Sequence, residues 1–245
     1  MQRIVFLDRE SIVAKLRTPD FPHQWIDYSQ TAIAEIGPRL QGATIAIVNK
    51  LPLSETLLAT LPTLRMIAVA ATGTNNIDLA ACRQRGIVVS NIRGYAEHTV
   101  PEHVLALLLA LSRNLPAYRQ SIAAGVWQRS EHFCSFAWPI RDLHGLSMAI
   151  VGSGSLGLGV SRLAGAFGMR VMHVERKMAA GVRPGYVAFS QAVRTADVIS
   201  LHCPLNAETH QMIGTAELRA MKADALLINT PRAADWSMKS RWRER

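Results

Sequence analysis

The sequence predicts an α/β chain of two doubly wound parallel-sheet domains, the second incomplete. Three features predict it. Short apolar runs alternate with helical segments over the first hundred residues, a long apolar helical stretch follows, and a second alternation begins near residue 147. Strands joined by helices at this pitch pair in parallel, because parallel neighbours need a long crossover that a helix supplies.

Each element has its own local reason. Strands are expected over 3–7, 44–48, 65–70 and 87–90, where apolar residues cluster between turn formers. Residues 30–36 look helical, with Gly37-Pro38 as the stop. Ser54 caps a short helix that Pro62 ends, and Asp78 caps another that Gly86 ends. Residues 95–124 read as one long helical region interrupted at Pro116. Its apolar residues Val104, Leu105, Leu107, Leu108, Leu109 and Leu111 leave almost no polar face, so burial in the domain or against a partner is expected. Residues 125–143 carry Trp127, Phe133, Phe136 and Trp138 in an irregular context, which suggests a subunit-interface arm, with domain packing as the alternative. Strands over 147–151, 170–174, 197–201 and 225–229 then alternate with helices over 155–167, 189–195 and 215–221.

Composition excludes several classes. Apolar residues make up 49% of 245, enough for a core, so disorder is excluded. The start MQRIVFLDRE reads as a short strand rather than a leader, and the longest apolar run, 104–111, is far below the roughly 20 residues of a membrane span. Cys82, Cys134 and Cys203 stand apart, without the spacing of a disulfide framework or zinc site. A soluble cytoplasmic protein without metal or membrane partner is expected. The net charge is +9, but between Arg232 and Arg245 five basic residues accompany only two acidic ones. The rest holds no longer basic run than Arg176-Lys177, so nucleic-acid binding is not expected.

The most specific motif is Gly152-Ser153-Gly154-Ser155-Leu156-Gly157. It follows an apolar strand, opens a helix, and precedes a second strand that ends at Glu175, 21 residues past Gly154. That context defines a dinucleotide-binding Rossmann fingerprint. Gly152 allows the tight turn, Gly154 the approach of the pyrophosphate, and Gly157 close helix packing, while helix amides meet the phosphates. Glu175 would accept the adenosine ribose hydroxyls, favouring NAD over NADP; Arg176 and Lys177 could instead hold a phosphate.

Five segments together resemble one family: Ala70-Ala71-Thr72-Gly73-Thr74-Asn75-Asn76-Ile77-Asp78, the stretch from Asn91 to His103, the glycine loop, Ser200-Leu201-His202-Cys203-Pro204-Leu205, and Leu226-Leu227-Ile228-Asn229-Thr230. The chain resembles the D-isomer-specific 2-hydroxyacid dehydrogenases, in their glycerate dehydrogenase or hydroxypyruvate reductase branch. The resemblance implies a flavodoxin-like substrate domain over 1–97 and a Rossmann domain over 98–245, with a linking helix and dimerisation arm over 98–143. It implies a homodimer that uses NAD to reduce a small 2-keto acid to the 2-hydroxy acid. By resemblance, the Thr72 and Gly73 amides hold the substrate carboxylate, and Thr99 lies at the nicotinamide end. His202, Cys203 and Pro204 line the adenosine side, with Thr209 and Thr230 as weaker cofactor contacts. His202 does not match the family's catalytic histidine, which lies further on.

After Thr230 the likeness stops. Arg232 stands where the family's substrate-binding arginine is expected, but Ala233-Ala234 replaces its glycine turn, and the expected helix, strands, glutamate and histidine are not matched. Codons can be chosen for Trp236-Ser237-Met238-Lys239 so that a frame shifted by two bases reads Val-Asp-Glu, part of the family's continuation. The expectation is an out-of-frame tail on a truncated domain, with turnover depressed. A dinucleotide-binding protein without activity, or a fragment without function, is the alternative.

Overall fold

The structure, a computed structural model, describes residues 1–230. The tail with Arg232, and the frame-shift reading of it, lie outside the described residues. The chain divides into two compact units, Met1–Gly94 and Tyr95–Arg245.

The first unit holds strands β1 (Gln2–Phe6), β2 (His23–Asp27), β3 (Ile45–Val48), β4 (Met66–Val69) and β5 (Val88–Asn91), with helices α1 (Ile36–Leu40), α2 (Glu55–Ala59) and α3 (Leu79–Gln84). All strands run parallel in the order β2-β1-β3-β4-β5, the flavodoxin-like winding. Ile4, Val5 and Phe6 are all buried, as in a parallel strand covered on both faces. Val5, Val48, Ile67 and Val69 pack with Leu40, Leu58 and Ala81 from the helices. Both expected caps form: Ser54 Oγ accepts from the Leu57 amide and Asp78 Oδ1 from the Ala81 amide, at 3.4 and 2.9 Å.

Two expectations for this unit are corrected. The helix expected over 30–36 instead begins at Ile36 and contains Gly37 and Pro38. Pro38 stands in the first turn, where its missing N–H is not needed. Gly37 faces α2, where an added Cβ would lie 3.2 Å from Leu57 Cδ1. The strand β2 was not expected, because its sequence His-Gln-Trp-Ile-Asp lacks an apolar run. It is a sheet edge, where pairing with β1 on one side suffices.

The second unit opens with α4 (Thr99–Ser112) and α5 (Leu115–Ala123). Then come β6 (Ser147–Val151), α6 (Ser155–Ala166), β7 (Arg170–Val174), β8 (Tyr186–Val187), α7 (Phe189–Thr195), β9 (Val198–Leu201), α8 (Thr215–Ala220) and β10 (Leu226–Asn229). The parallel order β10-β9-β6-β7-β8 is the Rossmann winding, with β6 as its first strand. Every residue of β6 is buried, and the strand feeds two cores. Met148 and Ile150 pack with Val104, Leu108 and Val160 of α4 and α6. Ala149 and Val151 pack with Phe189, Val193 and Leu218 of α7 and α8. Gly159 brings α6 against α4: a Cβ there would lie 2.7 Å from Pro101 Cγ.

The long helical region starts at Thr99 rather than 95 and breaks at Asn114, not at Pro116. Asn114 adopts φ +49°, a left-handed turn that an asparagine tolerates, and Pro116 sits in the first turn of α5. Within its own unit α4 is buried on one side. Val104, Leu105 and Leu108 are buried, while Leu107 and Leu111 are exposed. On the following arm Phe133 and Phe136 are 91% and 89% exposed, and Trp127 and Trp138 are partly open. Among the described residues no helix is long and apolar enough to cross a membrane.

Candidate functional site

The order of the second sheet reverses between β6 and β9, and there the loops leaving the two strands diverge and open a crevice. The glycine loop leaves β6, and His202-Cys203-Pro204 leaves β9. The two are joined by the His202 amide, which donates to the Val151 carbonyl at 2.7 Å. Gly152 lies at φ +107° with its α-carbon against the other loop. A Cβ there would stand 2.7 Å from the His202 carbonyl carbon and oxygen and 2.8 Å from Cys203 N. Only glycine meets both conditions.

The other two motif glycines divide the work. Gly157 packs on the turn itself, since an added Cβ would lie 2.0 Å from the Gly152 carbonyl oxygen. Gly154 caps α6, and an added Cβ would meet nothing within 4 Å. Ser155, Leu156 and Gly157 form the first turn of α6, whose amides have no partner inside the helix. Open space over a glycine at a helix start is where a diphosphate can approach backbone N–H groups.

A cavity of about 690 Å³ lies in front of this loop. Of the residues singled out in the sequence, Gly152, Gly154, Glu175, Arg176, His202, Cys203, Pro204 and Thr209 line it. Ser155, Leu156 and Gly157 are not among the lining residues, Thr99 is the first residue of α4, and Thr230 follows β10. Thr209 Oγ1 donates to the Pro204 carbonyl at 2.5 Å and accepts from the Asn206 amide at 2.8 Å, so it shapes the loop after β9.

Glu175 is 4% exposed and fully engaged. Arg183 reaches it with Nε and Nη2 at 2.6 and 2.9 Å, and the Arg176 and Arg183 amides donate at 2.9 and 3.2 Å. The Arg183 guanidinium and these amides hold the carboxyl down at about 2. Lys177 also lines the cavity and is paired with Glu217 at 2.7 Å and with the Met212 carbonyl at 2.9 Å. Arg176 is exposed and has no ion pair among the described residues. His202 is buried, with Nε2 2.8 Å from Ser200 Oγ, and burial pushes its imidazole down to about 4. Its Nδ1 has no partner among the described residues. An orphaned polar atom beside a cavity of this size and a helix start with free amides suit a dinucleotide.

Sequence reasoning gave Ser153 no role beyond its place in the glycine motif and did not single out Arg183 or Tyr186. The Tyr186 hydroxyl donates to Ser153 Oγ at 2.9 Å, and the Arg183 guanidinium lies 4.0 Å over the Tyr186 ring. Tyr186 belongs to a two-residue strand, too short for a pattern to reveal.

In the first unit the Thr72–Gly73 turn leaves the end of β4 exposed. Thr72 Oγ1 donates to the Ile92 carbonyl at 2.8 Å, and Asn91 Nδ2 donates to the Thr72 carbonyl at 2.7 Å. The carbonyl side of the turn is thus tied inward. The Thr72 and Gly73 amides meet no acceptor among the described residues, which leaves two adjacent donors for an anion.

A Rossmann unit with this cradle, in a chain that also carries a second parallel α/β unit, is the architecture of dinucleotide-dependent oxidoreductases. The sequence profile of the D-isomer specific 2-hydroxyacid dehydrogenase NAD binding domain matches residues 105–237. A glycerate dehydrogenase of Methylorubrum extorquens is 45% identical over 94% of this chain and 73% of its own length. A 2-hydroxyacid dehydrogenase of Haemophilus influenzae, so named provisionally, is 40% identical over 94% of this chain and 74% of its own. The crystal structure of D-lactate dehydrogenase from Aquifex aeolicus, complexed with NAD and lactic acid, superposes with a TM-score of 0.77 at 26% identity, over 98% of this chain and 73% of that one. The chain belongs to the D-isomer specific 2-hydroxyacid dehydrogenase family.

Proposed function

We propose that this chain binds NAD(H), in preference to NADP(H), and reduces a small 2-keto acid, glyoxylate or hydroxypyruvate, to the 2-hydroxy acid. The observation that carries the reading is the cradle in which Gly152 packs against His202 and Cys203 while Gly154 keeps the helix start open. Bound nicotinamide supplies the hydride. The chain's own residues bind and orient. Gly152, Gly154 and the first amides of α6, at Ser155, Leu156 and Gly157, hold the pyrophosphate. Glu175 and Arg176 meet the adenosine ribose, and His202, Cys203, Pro204 and Thr209 line the adenine side. Thr99 and Thr230 serve the nicotinamide end. Similarity to a glycerate dehydrogenase at 45% identity supports the substrate class. The two free amides at Thr72 and Gly73 support carboxylate binding in the first unit.

The exposed aromatics of the arm and the open side of α4 support a homodimer that covers them. A cytoplasmic location fits the three separated, unpaired cysteines. Arg232, the candidate for polarising the keto group, lies outside the described residues.

The test is direct. Purified chain is titrated with NADH by fluorescence, then mixed with NADH and glyoxylate or hydroxypyruvate while NADH consumption is followed. Binding with consumption of either acid is expected. Binding without consumption leaves a dinucleotide-binding protein, and no binding overturns the reading.

A further inference from the structure

The adenosine end of the cavity carries a charge arrangement that the glycine fingerprint does not require. A carboxylate offers about four lone-pair directions. All four of Glu175 are taken, two by the Arg183 side chain and two by the Arg176 and Arg183 amides. Ribose hydroxyls can reach Glu175 only by replacing one of these donors. The amides belong to the chain path after β7 and cannot leave without rebuilding it. The Arg183 guanidinium can leave by side-chain rotation, because more than half of that side chain is open to solvent.

A bare carboxylate at this place would repel a 2′-phosphate. Here Glu175 is paired with Arg183, and the unpaired Arg176 adds a positive charge beside them. Glu208 also lines the cavity and Lys177 is held to Glu217, so the remaining lining charges, Glu175, Arg176, Arg183 and Glu208, sum to zero rather than to a negative charge. Arg183 is also aimed: its guanidinium lies over the Tyr186 ring, and Tyr186 is bonded to Ser153 of the glycine loop. Turned off Glu175 by side-chain rotation, the guanidinium offers a planar fork of donors, a shape that suits a phosphate.

We propose that Arg183 is a specificity-determining residue: it occupies Glu175 before a dinucleotide enters, yields to the ribose hydroxyls of NAD(H), and turns onto the 2′-phosphate of NADP(H), so that the site admits both. This rests on the dinucleotide reading above. It limits how far Glu175 can enforce a preference for NAD(H).

The experiment is fluorescence titration of the full chain with NADH and with NADPH, for the wild type, Arg183→Gln and Arg183→Lys. In the wild type the two dissociation constants are expected to lie within about tenfold of each other, the weight of a single charge-assisted hydrogen bond. Arg183→Gln should weaken NADPH by about tenfold or more and leave NADH unchanged or tighter. Arg183→Lys, which keeps the charge and loses the fork, should fall between them, and it decides the matter if the glutamine variant does not fold. A wild type that excludes NADPH, or variants whose two affinities move together or not at all, overturn the proposal while NADH binding stands. A wild type that binds neither dinucleotide overturns the dinucleotide reading itself.

Discussion

The Tyr186 hydroxyl donates a hydrogen bond to Ser153 Oγ at 2.9 Å, tying the short strand β8 to the glycine loop that leaves β6. The loop is held from two sides, by this bond and by the packing of Gly152 on the backbone of His202 and Cys203. Tyr186→Phe removes the bond and keeps the ring beneath Arg183. Loss of one neutral hydrogen bond should weaken NADH and NADPH alike by roughly three- to tenfold. Parallel titrations check it; a change in the ratio of the two would mean that the hydroxyl acts through Arg183.

The glycines of the motif should separate on substitution. Gly157→Ala places a Cβ 2.0 Å from the Gly152 carbonyl, a clash with backbone, and should cost about 3 kcal/mol or more of stability. Gly154→Ala meets nothing within 4 Å and should fold within about 1 kcal/mol of wild type. Its methyl group stands where the pyrophosphate approaches, so NADH affinity should drop by about tenfold or more. Urea unfolding and NADH titration of both variants test the pair.

Asp197, at the start of β9, fastens three elements. It accepts from the Ser147 amide and hydroxyl, both at 2.7 Å, and from Lys222 Nζ at 2.8 Å. Burial alone would raise its carboxyl; Lys222 and Ser147 outweigh burial and bring it to about 2. Asp197→Ala should cost about 2 kcal/mol at neutral pH, because the buried Ser147 amide loses its acceptor while the partly exposed Lys222 ammonium can turn to water. The folded value lies below the ordinary 3.8, so the stabilisation is complete above that pH and is lost as pH falls through about 2. Denaturant titrations of wild type and variant should converge on acidification.

His202 gives a second, separate window. Burial places its folded value at about 4, below the ordinary 6.5. Between those values the unfolded chain takes up a proton that the folded chain refuses. Stability from this residue is therefore complete above about pH 6.5 and falls as pH drops toward 4, by up to about 3 kcal/mol. Thermal unfolding from pH 7 to pH 4 should show a shallower decline for His202→Gln than for wild type. Equal slopes would remove His202 as the cause.

Much of the framework was readable in the chain. Ser54 and Asp78 announce helix starts through one short side chain each, and both caps form. Met148 to Val151 reads as a buried strand because every position is apolar, and both of its faces are in fact packed. The strands β2 and β8 were hidden for the opposite reason. Each takes its stability from one neighbour, β1 or β7, so neither needs an apolar pattern of its own. For the helix break at Asn114 the sequence points to Pro116 instead, because proline is the stronger local signal. The left-handed turn that precedes it is made by a residue whose preference is only moderate.

The sequence by itself determined the parallel α/β class of both sheets, the glycine loop and the acidic end of β7, because each depends on residue types at short spacing along one strand–turn–helix unit. The family likewise lay in local segments, from Thr72-Gly73 to Asn229-Thr230. What only the tertiary structure decided is the state of Glu175. Its carboxylate is held by an arginine eight positions along the chain, stacked on Tyr186, which is in turn bonded to Ser153, 33 positions back. No spacing rule encodes that set, since its members meet only when β8 pairs with β7 and the intervening loop closes over the carboxylate.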